Sequence, residues 1–190
     1  MDRRRVIAVL TVGLLVAGSG FLGAQEEERR SYTVDRAQST VGFTIAHFGV
    51  SEVFGEFREF SGEITYAGSP ASLGITGRVV VSSVDTGIRA RDRALMGESY
   101  FNEQQYPEIR FRTVDVETGT AGPVLLGELR IRSVTREVRL PVSVEGAGPD
   151  TLEIAIRGSF DRNTFNVRGG VGGAAIGDEV SVRVDLVARR

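Results

Sequence analysis

The chain has no cysteine, no lysine and only one histidine in 190 residues. Without cysteine there is no disulfide framework and no N-terminal cysteine to carry a lipid, so stability rests on packing alone. Without lysine, Schiff-base and activated-lysine chemistry are excluded, and all 23 cationic side chains are arginines. A lone histidine leaves no strong zinc or copper ligand set, so neither a metal nor a cofactor is expected. Basic excess is missing too: the formal charge is −2. Losing residues 1–24 would remove three arginines and Asp2 and carry it to about −4, which argues against a nucleic-acid partner.

What is present begins with an export signal. Arg3, Arg4 and Arg5 form a positive start, Val6 to Ala17 an apolar stretch of 12 residues, and Leu22-Gly23-Ala24 a cleavage site. The expected product is periplasmic or secreted, cut near Ala24. Residues 25–30 read as a charged Glu/Arg tether, and residues 31–190 as one domain large enough to bury a core.

Within that domain the dominant signal is alternation with a period of two. Val138, Leu140, Val142 and Val144 alternate with Arg139, Ser143 and Glu145, and Val180, Val182, Val184 and Leu186 with Ser181, Arg183 and Asp185. The same pattern runs through Val41 to His47, Phe60 to Tyr66, Ile75 to Val81, Leu125 to Ile131 and Leu152 to Phe160. With the segment around Ile109 and Phe111, this predicts eight half-buried strands in an all-β antiparallel barrel or sandwich. Gly62, Gly77, Gly127 and Gly158 fall at inward positions, either making space or marking bulges. One short helix is expected between the third and fourth of these strands, from about Ile88 to Met96, with Thr86 as N-cap and Gly97 as the stop. Ile88, Leu95 and Phe101 would dock it over a barrel mouth.

Asp85-Thr86-Gly87 has the form of an aspartic-protease turn, and Ala175-Ile176-Gly177 resembles the second apolar element of that class. The chemistry needs two carboxylates sharing a proton, so this reading requires a homodimer, the one protein partnership the sequence leaves open. The arginines of the following helix, Arg89, Arg91 and Arg93, oppose a carboxylate that must be protonated part of the time. The plainer alternative has Asp85 and Thr86 capping the helix or pairing with an arginine. Likewise Arg91-Asp92 and Arg162 read as hooks onto neighbouring loops. No Gly-x-Ser-x-Gly elbow partners His47, and Gly170 to Ala175 precedes a strand where a dinucleotide fingerprint needs a helix.

Ten short elements in order carry a resemblance. They are Tyr32-x-x-Asp35 with Ser39 and Phe43; His47-Phe48; Gly55-x-Phe57 with Phe60-x-Gly62; Val84-Asp85-Thr86-Gly87; Arg91-Asp92-x-x-Leu95; Phe101 with Tyr106-Pro107-x-Ile109-x-Phe111; Gly127-x-Leu129; Val134-Thr135; Arg162-x-x-Phe165; and Ile176-Gly177-Asp178-x-Val180. In these the chain resembles the YceI-like family of lipid- and polyisoprenoid-binding proteins over nearly all of residues 31–190. It departs at Tyr32, where the family often has tryptophan, and at Arg130 and Ser133, which replace a threonine and a glycine.

The resemblance implies a lipocalin-like eight-stranded antiparallel β-barrel that holds a long-chain isoprenoid or other lipid, without catalysis. By inward parity its sleeve would use Phe43, Ile45, Ile64, Val79, Val81, Phe111, Leu129, Ile131, Leu140, Val142, Ile154, Ile156, Val182 and Val184, with His47 and Arg91 as polar contacts near a mouth. The same residues would equally fill a solid barrel, as a stress or adhesion factor requires.

Overall fold

The computed structural model describes residues 28–47, 51–169 and 176–190. The export signal, most of the charged tether, Phe48 and the Gly170–Ala175 run lie outside the described residues.

Alternation delivers strands. They are β1 (Arg30–Val34), β2 (Thr40–His47), β3 (Ser51–Phe57), β4 (Phe60–Tyr66), β5 (Gly74–Val80), β6 (Val84–Asp85), β7 (Glu108–Gly119), β8 (Gly122–Ile131), β9 (Val134–Ala147), β10 (Thr151–Asp161) and β11 (Ile176–Arg189). Helix α1 (Arg89–Met96) stands between β6 and β7. The order β1-β4-β5-β7-β8-β9-β10-β11 returns from β11 to β1, closing an antiparallel ring of eight strands. This is the expected barrel with its single helix. Closure removes free strand edges, which otherwise invite pairing with other chains.

The chain enters the barrel through a broken strand. Ala188 and Arg189 of β11 pair with β1, whereas Val180 to Asp185 pair with β2, so β1 and β2 share one neighbour at different heights. Asp35 and Ser39 make the break. The Asp35 carboxylate accepts from the Ala37 amide at 3.1 Å, the Ser39 hydroxyl accepts from the Val187 amide at 2.9 Å, and Arg189 Nε donates to Asp35 at 3.0 Å. Beyond β2, the short β3 and β6 extend the sheet past the ring.

Three sequence expectations are corrected here. Thr86 is not the N-cap: α1 starts after Ile88, with no side-chain cap. Instead the Thr86 hydroxyl donates to Asp92 at 2.6 Å and accepts from Arg91 Nε at 2.8 Å, so the helix holds the turn that precedes it. Ile88 does not dock, being 52% exposed, whereas Gly97 does end the helix. β5 also stops at Val80, one residue short, and Val81 enters a 3₁₀ turn where its amide donates to the Pro107 carbonyl at 2.9 Å.

Bulges set which residues face inward. Between Thr113 and Asp115 the β7–β8 register shifts, throwing Val114 outward at 53% exposure and returning Val116 to the core. Gly62 and Gly77 pair with each other, and Gly158 with Val182, in unbroken register and mark no bulge, whereas the β7–β8 shift opens beside Gly127.

Candidate functional site: a half-hollow barrel

The inner positions divide by height. At the end carrying the β4–β5, β7–β8 and β9–β10 turns, large side chains meet across the axis. Tyr32, Ile64, Tyr66, Leu125, Leu152 and Ile154 are all buried, with Ile64, Leu125 and Leu152 at 0% exposure. Toward the α1 end the strands enclose a cavity of about 480 Å³. That is within the range of small-ligand sites.

Twelve of the expected residues stand on its wall. β2 contributes Phe43, Ile45 and His47; β5 contributes Val79; β7 contributes Phe111; and β8 contributes Leu129 and Ile131. Leu140, Ile156, Val182 and Val184 come from β9, β10 and β11, and Arg91 comes from α1. The other four are elsewhere: Ile64, Val142 and Ile154 belong to the packed half, and Val81 is buried in its 3₁₀ turn. Inward parity could not separate them, since wall and core share one face of each strand.

The wall also holds aromatics that parity did not select. Phe43 and Phe57 lie 5.7 Å apart between ring centres, and Phe57 and Phe101 6.0 Å, joining β2, β3 and the segment after α1. The Gly55-x-Phe57 element was the available signal for Phe57. Phe60 and Ile109 complete that side.

Glycines decide where these rings go. A Cβ on Gly55 would meet the Phe43 ring at 2.3 Å, and one on Gly127 the Phe111 ring at 2.3 Å. The rings therefore lie flat on the wall, where a side chain would have pushed them into the lumen. Gly62 and Gly77 pair directly across β4 and β5. A Cβ on Gly77 would find nothing closer than the Ser61 carbonyl oxygen at 3.7 Å.

The few polar groups on the wall are held. Arg91 donates from Nη2 to the Thr86 carbonyl at 2.7 Å, in addition to its bond to the Thr86 hydroxyl. Arg162 is 6% exposed and donates to the carbonyls of Val167 at 2.7 Å, Gly177 at 2.8 Å and Ile176 at 3.1 Å, and to Asp178 at 3.2 Å. It fastens the start of β11 to the end of β10, the hook expected of it. His47 occupies the last β2 position, opposite Ile176 and Ser51. No aspartate or glutamate is among the described lining residues.

Asp85 is off the cavity. It forms an ion pair with Arg58 and accepts from the Gly87 amide at 2.7 Å, in a polar surface hollow with Ser82, Ser83 and Arg89. That is the pairing with arginine anticipated as the plainer alternative. The carboxylates held below their usual range are elsewhere. Glu108 is lowered chiefly by a hydrogen bond from Arg110, then opposed by partial burial and lowered further by Arg78.

A closed antiparallel barrel, packed at one end and hollow and apolar at the other, defines the class of lipocalin-like containers. The chain belongs to the YceI-like family, whose domain model matches residues 32–188. It is 32% identical over 139 residues to a UPF0312 protein of Photorhabdus laumondii, covering 72% of each chain, and 28% identical over 187 residues to one of Yersinia enterocolitica, covering 94% of each. Among solved structures it is similar to BcnA of Burkholderia cenocepacia, with a TM-score of 0.74 at 25% identity, over 82% of this chain and 99% of that one. It shares its fold with a polyisoprenoid-binding domain from Saccharophagus degradans, with a TM-score of 0.67 at 16% identity, over 83% and 97%.

Proposed function

We propose that the protein is an exported, non-catalytic carrier that holds the apolar tail of a polyisoprenoid or isoprenoid-quinone-like lipid in the hollow half of the barrel. The carrying observation is the cavity of about 480 Å³ walled by aliphatic and aromatic side chains and backed by a packed end. Each methylene transferred from water is worth about 0.8 kcal/mol, so several isoprene units supply ample affinity without specific polar contacts. His47 and Arg91, both on the cavity wall, would be the polar contacts for the head of such a lipid. The Saccharophagus neighbour, described as polyisoprenoid-binding, supports the ligand class. Residues 1–24 support export, since a lipid tail needs a container only where it must cross water. A filled barrel is disfavoured by the cavity, and a protease by the Arg58 pair that occupies Asp85.

Gly77→Leu tests the reading. A Cβ at this wall position meets nothing closer than 3.7 Å, so the substitution adds its side chain on the cavity side. Protein purified without detergent or denaturant is expected to release an organic-extractable lipid and to show its added mass by native mass spectrometry. The variant, equally folded by circular dichroism, is expected to show the apo mass alone. Wild-type protein that is wholly apo under the same handling would overturn the proposal.

A further inference from the structure

The outer face of the hollow half carries a charge pattern that its lumen does not explain. Across β5, β7 and β8, Arg78, Arg110 and Arg130 are direct neighbours in register, with Ser61 and Thr135 at the two ends of the row. Directly opposed residues on antiparallel strands have Cα atoms roughly 5 Å apart, and like charges so placed repel. A single carboxylate answers them: Glu108, 3.0 Å from Arg78 and 2.8 Å from Arg110. Among the described residues Arg130 has no carboxylate partner and donates only to the Arg132 carbonyl, at 3.3 Å.

Arg132 extends the row and is itself costly to place. It sits in the β8–β9 turn at φ 55°, a left-handed conformation uncommon for a residue with a side chain. Its guanidinium donates to the Asn166 carbonyl at 2.7 Å and lies 5.9 Å from the centre of the Tyr106 ring. Three arginines thus stand in register with one carboxylate, and Arg132 follows as the next arginine along the chain, in a protein whose net charge is −2. The next row toward the packed end is not cationic, because Arg112 pairs with Glu128 at 2.8 Å and Glu137 stands opposite Glu128. The excess is confined to the α1 end, on the back of the wall formed by Val79, Ile109, Leu129 and Ile131.

We infer that this arginine row docks the hollow end of the barrel on an anionic lipid surface, its guanidinium forks taking headgroup phosphates. Planar guanidinium groups bind phosphate oxygens bidentately, and a row several arginines long matches a surface of many phosphates better than one soluble ion. The inference gives the proposed carrier a place to exchange its lipid, yet it rests on separate residues.

Vesicle co-sedimentation decides it, using the protein as isolated from producing cells. Binding is expected to vesicles containing phosphatidylglycerol and not to phosphatidylcholine alone, and to weaken as salt is raised. Arg130→Gln is expected to weaken it about fivefold, the share of one arginine near an anionic surface. Arg132→Gly, whose relaxed turn offsets the lost Asn166 and Tyr106 contacts, is expected to weaken it similarly, with an unchanged thermal melt excluding unfolding. Arg183→Gln, whose guanidinium pairs with Asp185 on β11, should leave binding unchanged. Gly77→Leu should also still sediment, which separates this inference from the lipid-carrier reading. Equal binding to both vesicle types, or full binding by Arg130→Gln and Arg132→Gly, would overturn it. So would competition by inorganic phosphate without vesicle recruitment, or retention on double-stranded DNA but not on vesicles.

Discussion

The two halves of this barrel share most of their strands, yet one is solid and the other hollow. In the packed half the inner positions of β1, β4, β8 and β10 carry Tyr32, Ile64, Leu125 and Leu152, which meet across the axis. One inner step along β4 and β8 from Ile64 and Leu125 stand Gly62 and Gly127, with Gly77 paired to Gly62 on β5 and Gly158 three inner steps along β10 from Leu152. The cavity therefore owes part of its room to side chains withheld at Gly62 and Gly77, which stand on its wall, with the Phe111 ring folded back over Gly127. A barrel of this strand number is otherwise just filled by its own side chains. Hollowness here is a local choice of residue, made without a change of topology.

The sharpest way to break the comparison is to truncate two residues in the packed half and one in the hollow half. Ile64→Ala and Leu152→Ala remove fully buried side chains and are each expected to cost about 2–5 kcal/mol, the transfer term plus the cavity left behind. Val182→Ala removes a side chain that already faces the void, so only the transfer part is lost, about 1 kcal/mol. Denaturant unfolding of the lipid-free protein measures both. Equal losses would mean that the hollow half collapses in solution.

A smaller effect is expected where a glycine seats a ring. Gly127→Val places a methyl-bearing carbon on the Phe111 ring and forces it into the lumen, at about 1–3 kcal/mol. Its lipid capacity should fall together with its stability. Gly77→Leu, by contrast, should lose capacity while stability stays within about 1 kcal/mol. Paired melting and lipid-extraction measurements distinguish a seat for a ring from a plain vacancy.

These distinctions mark how far the sequence could be read. Alternation reports which face of a strand is inward, and it located the strand segments from Val41 to Leu186 because inner and outer faces differ so sharply in polarity. Height along the axis is another matter. Ile64 and Val79 look alike in pattern, and only the closed register puts the first in the plug and the second on the cavity wall. Val81 kept the parity of β5, but its amide is taken by the Pro107 carbonyl, a long-range contact no local pattern contains. β1 and β6 were missed because each is short, and β3 because Gly55 interrupts its inward alternation between Val53 and Phe57. Thr86 looked like a cap because threonine favours that position, yet Asp92 and Arg91 claim its hydroxyl first.

The smallest expected effect concerns the seam through which the packed half closes. Asp35 joins β1 to the end of β11 through Arg189, whose hydrogen bond is the main cause lowering the Asp35 pKa from 3.8, with the Ala37 amide and Gln38 adding to it against slight desolvation. A carboxylate whose pKa is lower in the folded state contributes stability above its unfolded pKa and loses it as the pH falls through the folded value. At neutral pH the protein should therefore melt slightly above its Asp35→Asn variant. The gap should narrow once the pH drops below 3.8 and close when Asp35 is protonated. The pair is exposed and screened by salt, so the gap should also shrink at high ionic strength. A gap that persists unchanged in acid would mean that Asp35 holds the seam through its turn geometry, by bonds an asparagine cannot copy, and not through its charge.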